Sequence, residues 1–160
     1  MAFLLKDFEK QYSILAKKYS LPKFRELNEE FEIDKIDRET FCFIRLIRKV
    51  MMEKIVNSLN FLEMLLNPVN TPRVYVPYIR AMSAEDRKDI EQVYTKLGEL
   101  SIESLSLEVE YNEKQESVVV KNIYSTWQSI KPKLRNIILH MQRPIKENTS
   151  GVKKEKSYFG

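Results

Sequence analysis

The sequence predicts an all-α protein: a single-domain helical bundle over residues 1–142, built around one long central helix, then a flexible basic tail over 143–160. Three observations predict it. Apolar residues recur three or four apart along most of the chain, the spacing that lines one face of a helix. Glycine is scarce, 3 residues in 160, which disfavours Gly-rich phosphate loops, β-rich folds and disorder across the body. Charged residues, 31% of the chain, are mixed in sign, as on solvated helix faces, while a 43% apolar share is enough for one real core.

The central helix is expected over residues 37–66. Phe43, Ile44, Ile47, Val50, Met51, Ile55, Leu62, Leu65 and Leu66 share one broad face. Asp37 can cap its start, and Asn67-Pro68 stops its end. At 1.5 Å per residue it would run about 45 Å, so the other helices are expected to pack along it.

Upstream, residues 2–19 read as a helix with Leu4, Leu5, Phe8, Tyr12, Leu15 and Tyr19 inside. Ser20-Leu21-Pro22 breaks it, and Pro22 suits the first turn of a short helix carrying Phe24, Leu27 and Phe31. Residues 26–39 are acidic and read as a solvated face that favours the next helix N-terminus. They lack the spacing of a calcium loop.

Downstream, Pro68, Pro72 and Pro77 argue against helix over residues 67–82. Val74, Tyr75, Val76, Tyr78 and Ile79 make this an apolar connection, expected to lie extended against the body. Ser83, with Asp86 three later, opens a helix whose inner face is Ile90, Val93, Tyr94 and Leu97. Leu105, Leu107, Val109 and Tyr111 alternate as a strand would. A lone strand leaves its backbone unpaired, so helix is favoured through about Glu110. Asn112 and Gln115 resemble another cap, leading to Val119, Val120, Ile123, Tyr124 and Trp127. A restart is expected at Ser129–Pro132, and Leu134, Ile137, Ile138 and Met141 line a last helix ended by Pro144.

Composition also bounds function. Net charge is +4, of which residues 140–160 hold +3, leaving only +1 on the body, so a global electrostatic case for nucleic acid is weak. Cys42 is the sole cysteine, so no intrachain disulfide forms, which fits a reducing cytoplasmic setting. The opening apolar run is too short for a signal peptide. Arg45, Arg48, Lys49, Glu53 and Lys54 keep the most apolar stretch out of a membrane, since each such charge costs on the order of 3 kcal/mol at the bilayer centre.

No catalytic set, cofactor site or metal site is legible. One histidine, His140, and one cysteine are too few ligands for zinc. Cys42 reads as a core residue rather than a thiol nucleophile activated by His140. Nucleotide-binding glycine motifs and the nucleophile-elbow motif are missing.

Three groups of residues remain as candidates for binding a partner. Arg45, Arg48 and Lys49 lie three and four apart and form the strongest basic patch of the body, able to meet phosphates or acidic groups unless paired internally. Arg73, Tyr75, Tyr78 and Arg80 put paired aromatics and arginines on one loop, either a binding surface or a loop pinned by its rings. The third is the tail, with Lys153, Lys154, Lys156, Tyr158 and Phe159.

The aromatic pair Tyr158-Phe159 resembles the end of peptides that dock on the replication sliding clamp, although Val152 stands at their Gln position and Glu155 at their aliphatic position. Over residues 44–97, the stretch IRLIRKVMMEKIVNSL followed by MSAEDRKDIEQVYTKL with Tyr94 resembles the helical domain of the GINS replication subunits. That family's small β-rich domain has no counterpart here. The resemblance implies a non-catalytic subunit assembled with other helical chains.

The function expected is a non-enzymatic helical interaction module, acting on a protein partner or on itself through helix faces; the resemblance implies a subunit of a replication or repair complex. A stripe on the central helix larger than one chain can cover is part of that expectation. A nucleic-acid binder using the basic patch and lysine tail is the alternative, and a small carboxylate-using enzyme ranks last.

Overall fold

Three long helices make the body in the computed structural model, which describes the backbone of residues 2–36 and 42–150 and the side chains of 8–36, 42–69 and 71–142. In chain order they are α3 (Phe43–Leu66), α5 (Ala84–Val109) and α6 (Glu113–Ser150), preceded by α1 (Ala2–Tyr19) and α2 (Phe24–Phe31). The short α4 (Val76–Ala81) bridges α3 and α5. No strand occurs among the described residues.

The long helices run alternately up and down. Arg48 near the start of α3 meets Glu108 near the end of α5, and Asp86 at the start of α5 meets His140 far along α6. Their shared core is built from Ile44, Ile47, Met51 and Ile55 on α3, Ile90, Val93 and Leu97 on α5, and Val120, Ile123 and Ile130 on α6. These recur at the three-and-four spacing that keeps them on one face of each helix.

The caps follow the sequence. Ser83 Oγ accepts from the Asp86 N–H at 3.0 Å while Asp86 Oδ2 accepts from the Ser83 N–H at 3.0 Å, a reciprocal capping box. Asn112 Oδ1 accepts from the Gln115 N–H at 3.1 Å before α6. Glu32 closes α2 in the left-handed region, φ 53°, with its N–H donating to the Asn28 carbonyl at 2.9 Å. Residues 104–109 are helical, as the pairing argument requires, and Gly98 lies within α5 facing open space.

Four expectations need correction. The central helix begins at Phe43, with Cys42 non-helical just before it, and residues 37–41, Asp37 among them, lie outside the described residues. At 24 residues α3 is shorter than α5 or α6.

The prolines of 67–82 start helical turns instead of forbidding them. Pro68 opens a 3-10 turn over Pro68–Asn70, and Pro77 sits in the first turn of α4, where a missing N–H has no intrahelical acceptor to lose.

The break expected at Ser129–Pro132 is absent, because α6 runs through Pro132. Pro132 is exposed, so the Gln128 carbonyl it cannot satisfy faces water, while Ile130, Leu134 and Ile137 hold the opposite face in the core. The backbone also stays helical past Pro144 to Ser150, inside the segment read as tail.

Finally, the stripe on α3 is covered by this chain, for every residue assigned to it is buried or half-buried. Exposed apolar residues lie elsewhere, among them Ile102, Leu105 and Val109 on α5 and Ile138 and Leu139 on α6.

Candidate functional site

Arg45, Arg48 and Lys49 are brought together and are occupied. The Arg48 side chain is 2% exposed and faces Glu116, whose side chain is 0% exposed. Arg48 Nε donates to Glu116 Oε2 at 2.5 Å and its Nη2 to Glu108 Oε1 at 2.6 Å, while Nη1 donates to the Ser104 hydroxyl. Arg45 Nε donates to Glu116 Oε1 at 2.9 Å, and its Nη2 reaches the Leu107 carbonyl. The Arg45 guanidinium lies 5.1 Å from the centre of the Tyr111 ring. Lys49 Nζ stands 3.2 Å from Glu108 Oε2.

Burial works against the Arg48 charge, but the hydrogen bonds to Glu116 and Glu108 outweigh it and raise the pKa above the usual value. The hydrogen bond from Arg48 is the main cause holding the Glu108 carboxyl below the usual range. The internal pairing that the sequence left open is what occurs, and its acids come from α5 and α6. The cluster ties three helices into one register, a use for which buried ion pairs are well suited.

The second group is split between core and surface. Ile79 is buried and Tyr75 packs on the core, with the Tyr75 and Tyr78 rings 6.5 Å apart. Arg73, Val74 and Arg80 are exposed. Neither arginine forms an ion pair among the described residues. This loop follows Leu66, about 27 Å along α3 from Arg48, so the two basic groups do not form one surface. The tail residues Lys153, Lys154, Lys156, Tyr158 and Phe159 lie outside the described residues.

The three seams between the long helices differ in what closes them. Over the α3/α6 seam lie α1 and α2. Phe8 meets Phe24 and Phe43 edge-on, and Phe31 lies 6.0 Å from Trp127. Glu30 receives hydrogen bonds from Trp127 Nε1 at 2.9 Å and Lys131 Nζ at 2.5 Å. The Lys54 ammonium stands over the Trp127 and Phe31 rings at 4.7 and 5.5 Å and donates to the Glu30 carbonyl; burial lowers its pKa. A 780 Å³ hollow beside it is lined by Phe31, Val50, Lys54 and Phe61 among others, but the amine itself is spent on closing the end of α2.

The α5/α6 seam is polar, with Glu103, Asn122, Ser125 and Ser129 along it and the Asn122 amide donating to Glu103 at 2.9 Å.

The α3/α5 seam is left open. A groove of about 560 Å³ runs along it, floored by Met52 and Ser104 and flanked by Val56 and Leu105. Beside it Ile102, Leu105 and Val109 are 72%, 63% and 90% exposed. These three sit at i, i+3 and i+7, so they form one stripe on α5, apart from the buried stripe of Val93, Leu97, Leu100 and Leu107. Leu105 and Val109 alternate with Leu107 and Tyr111 as a strand would, and that alternation masks the second helical stripe. The signal was present: once residues 102–109 are helix, two apolar faces are needed to account for them.

Cys42 and His140 are at opposite ends of the molecule. The Cys42 thiol lies near Tyr111, just before α6, while His140 Nδ1 lies 2.7 Å from Asp86 Oδ1, twenty-odd residues and roughly 40 Å along α6. Among the described residues no group of three or more His, Cys, Asp and Glu is gathered to hold a metal ion, and no helix is long and apolar enough to cross a membrane. No family model, no curated protein and no solved structure matches the chain.

Proposed function

We propose that the protein is a non-enzymatic helical interaction module whose working surface is the open α3/α5 seam. The observation that carries this reading is the contrast among the three seams. The α3/α6 seam is overlaid by α1 and α2, the α5/α6 seam is lined by polar side chains, and the α3/α5 seam has exposed Ile102, Leu105 and Val109 beside its groove. Such a stripe on an otherwise well-packed bundle is the mark of a surface that another macromolecule covers. The likeness of residues 44–97 to the GINS helical domain is consistent with a subunit of a replication or repair assembly.

The test is quantitative capture from an extract of the source cells with wild type and the Ile102→Asp/Leu105→Asp variant. Proteins retained by the wild type and lost by a folded variant support the reading. Identical sets from the two remove the seam as the working surface.

A second reading, nucleic-acid binding, draws support from Arg73 and Arg80, both exposed and unpaired among the described residues next to Tyr75 and Tyr78. It draws little from Arg45, Arg48 and Lys49, whose charges are engaged within the bundle. A mobility shift that weakens with salt and with Arg73→Ala/Arg80→Ala would favour it.

A further inference from the structure

The exposed stripe on α5 reads the same in both directions. Gly98, Ile102, Leu105 and Val109 follow one another at intervals of four, three and four, the alternation of a seam between two helices. Read backwards, the intervals are the same. About a point midway between Ile102 and Leu105, Ile102 exchanges with Leu105, Ser101 with Ser106 and Gly98 with Val109. Gly98 has nothing within 4 Å of the place a Cβ would take, and Val109 is 90% exposed. One bare position and one projecting side chain thus stand at equal distances from the centre of a stripe about 17 Å long.

The charges beside the stripe are balanced, and so is their order. The groove is lined by two bases, Arg48 and Lys49, and two acids, Glu53 and Glu108. Arg48 is buried beneath Glu108, and Lys49 Nζ is 3.2 Å from the same carboxylate. Lys96, Glu99 and Glu103 line the α5/α6 seam instead. The exposed Lys88 and Glu91, a base and an acid, lie beyond the stripe, about 15 and 10 Å before Gly98. Arg48 meets Ser104 and Glu108, and Glu63 meets Tyr94, so the centre of the stripe is level with Met51 and Met52 on α3. Lys49 and Glu53, both exposed, stand on either side of that level along the α3 rim.

We infer that the α3/α5 seam is where two copies of this chain meet, each α5 antiparallel to the other about a two-fold axis that passes between Ile102 and Leu105. This rests on the seam being the working surface. Such an axis lays Ile102 against Leu105 of the second copy and seats Val109 of the second copy over Gly98, each contact occurring twice as isologous pairing requires. Ser101 and Ser106 on the two flanks are small, which lets the helix axes approach to about 8 Å. The same axis brings Lys49 of each copy level with Glu53 of the other, and Glu110, just past the end of α5, level with Lys96. Opposite charges then meet at the rim and fix the register. A partner with strongly basic or strongly acidic flanks finds no such match in a groove whose own charges cancel. Three turns of helix, with Met52 and Val56 of the groove beside them, make a small interface, so the dimer is weak and reversible.

The test is sedimentation velocity of the full chain between about 5 and 500 µM, a range that brackets weak complexes. Urea midpoints at the lowest concentration confirm that each variant folds. The expected result is a monomer–dimer equilibrium for the wild type, weakened at least about tenfold by Leu105→Asp, which sets a charge in the centre of the paired stripe. Gly98→Val enters space that is open in the monomer but taken by Val109 of the second copy, and should weaken the dimer at least about fivefold. Gly98→Val/Val109→Ala trades the two sizes and should return to within about twofold of the wild type. Glu53→Lys should weaken the dimer at least about threefold at low salt, with the effect fading at about 0.5 M salt.

A wild type that stays monomeric throughout overturns the inference. The seam itself is judged apart from it, by whether a different protein is captured by the wild type and lost by Ile102→Asp/Leu105→Asp. A monomer that dimerises only when residues 151–160 are deleted assigns the groove to the chain's own tail, and this too overturns the inference. A dimer indifferent to Leu105→Asp is formed by another face and overturns it. A dimer lost with Leu105→Asp but indifferent to both Gly98→Val and Glu53→Lys keeps the seam and overturns the antiparallel pairing.

Discussion

The α3/α6 and α3/α5 seams share one helix and have opposite fates. Over the first, α1 and α2 bring Phe8, Phe24, Leu27 and Phe31 down onto α3 and α6, and Trp127 is buried with its indole N–H satisfied by Glu30. Over the second nothing of the described chain lies, and Ile102, Leu105 and Val109 face outward. The two seams are not distinguished by how apolar their residues are. They are distinguished by whether the chain supplies a lid, and that is why the open one carries the functional reading.

The sharpest way to break the comparison is to cut one large side chain from each seam. Trp127→Ala should cost about 3–5 kcal/mol, for it opens a cavity and strips Glu30 and Lys54 of a hydrogen bond and a ring. Leu105→Ser, already mostly in water, should change stability by no more than about 0.5 kcal/mol. Urea midpoints of the two variants measure this directly. A loss at Leu105 comparable with that at Trp127 would mean the open stripe is structural, and the proposed docking surface would fall.

The ionic cluster at the mouth of the open seam offers the next handle. Arg48→Met leaves the buried Glu116 with Arg45 as its remaining cation and should destabilise by about 3 kcal/mol, the low end of the usual cost of breaking a buried pair on one side. Arg48→Met/Glu116→Met removes both charges and should recover most of that loss. Recovery identifies the pair as a device for register rather than net stability. If the double variant stays as unstable as the single, the remaining hydrogen bonds of Arg48 to Ser104 and Glu108 carry more than the pair itself.

What the sequence made legible follows from locality. Helix faces, the Ser83 box and the Asn112 cap depend on residues within one turn, and all were readable. Pro132 and Pro77 misled because a proline's effect depends on which face it occupies and on where the helix begins, both settled by packing. The partners of Arg48 were illegible for a different reason. Ser104, Glu108 and Glu116 are 56 to 68 residues away, and only the packing of α5 and α6 against α3 brings them under the guanidinium. The open stripe lies between these cases. Its spacing is local, but its exposure is decided by the lid that α1 and α2 give to the other seam alone.

The α5/α6 seam provides the smallest effect and a pH signature. Asp86 accepts from Ser83 through Oδ2 and faces His140 Nδ1 through Oδ1, and the His140 contact, with Ser83 behind it, lowers its pKa from 3.8 to about 2. A carboxyl with a folded pKa below its unfolded one stabilises the fold above the unfolded value. That stability drains away as the pH falls through the folded value, because the unfolded chain takes up the proton first. Asp86→Asn should therefore cost about 1 kcal/mol near neutrality, the scale of a helix cap. The difference between wild type and variant should then shrink between about pH 4 and pH 2. Comparing the two proteins isolates this group from the Glu30, Glu108 and Glu113 carboxyls, whose pKa values are lowered as well. A gap that stays constant down to pH 2 would show that the Asp86 side chain acts by shape and hydrogen bonding alone, and that its charge does not help to close this seam.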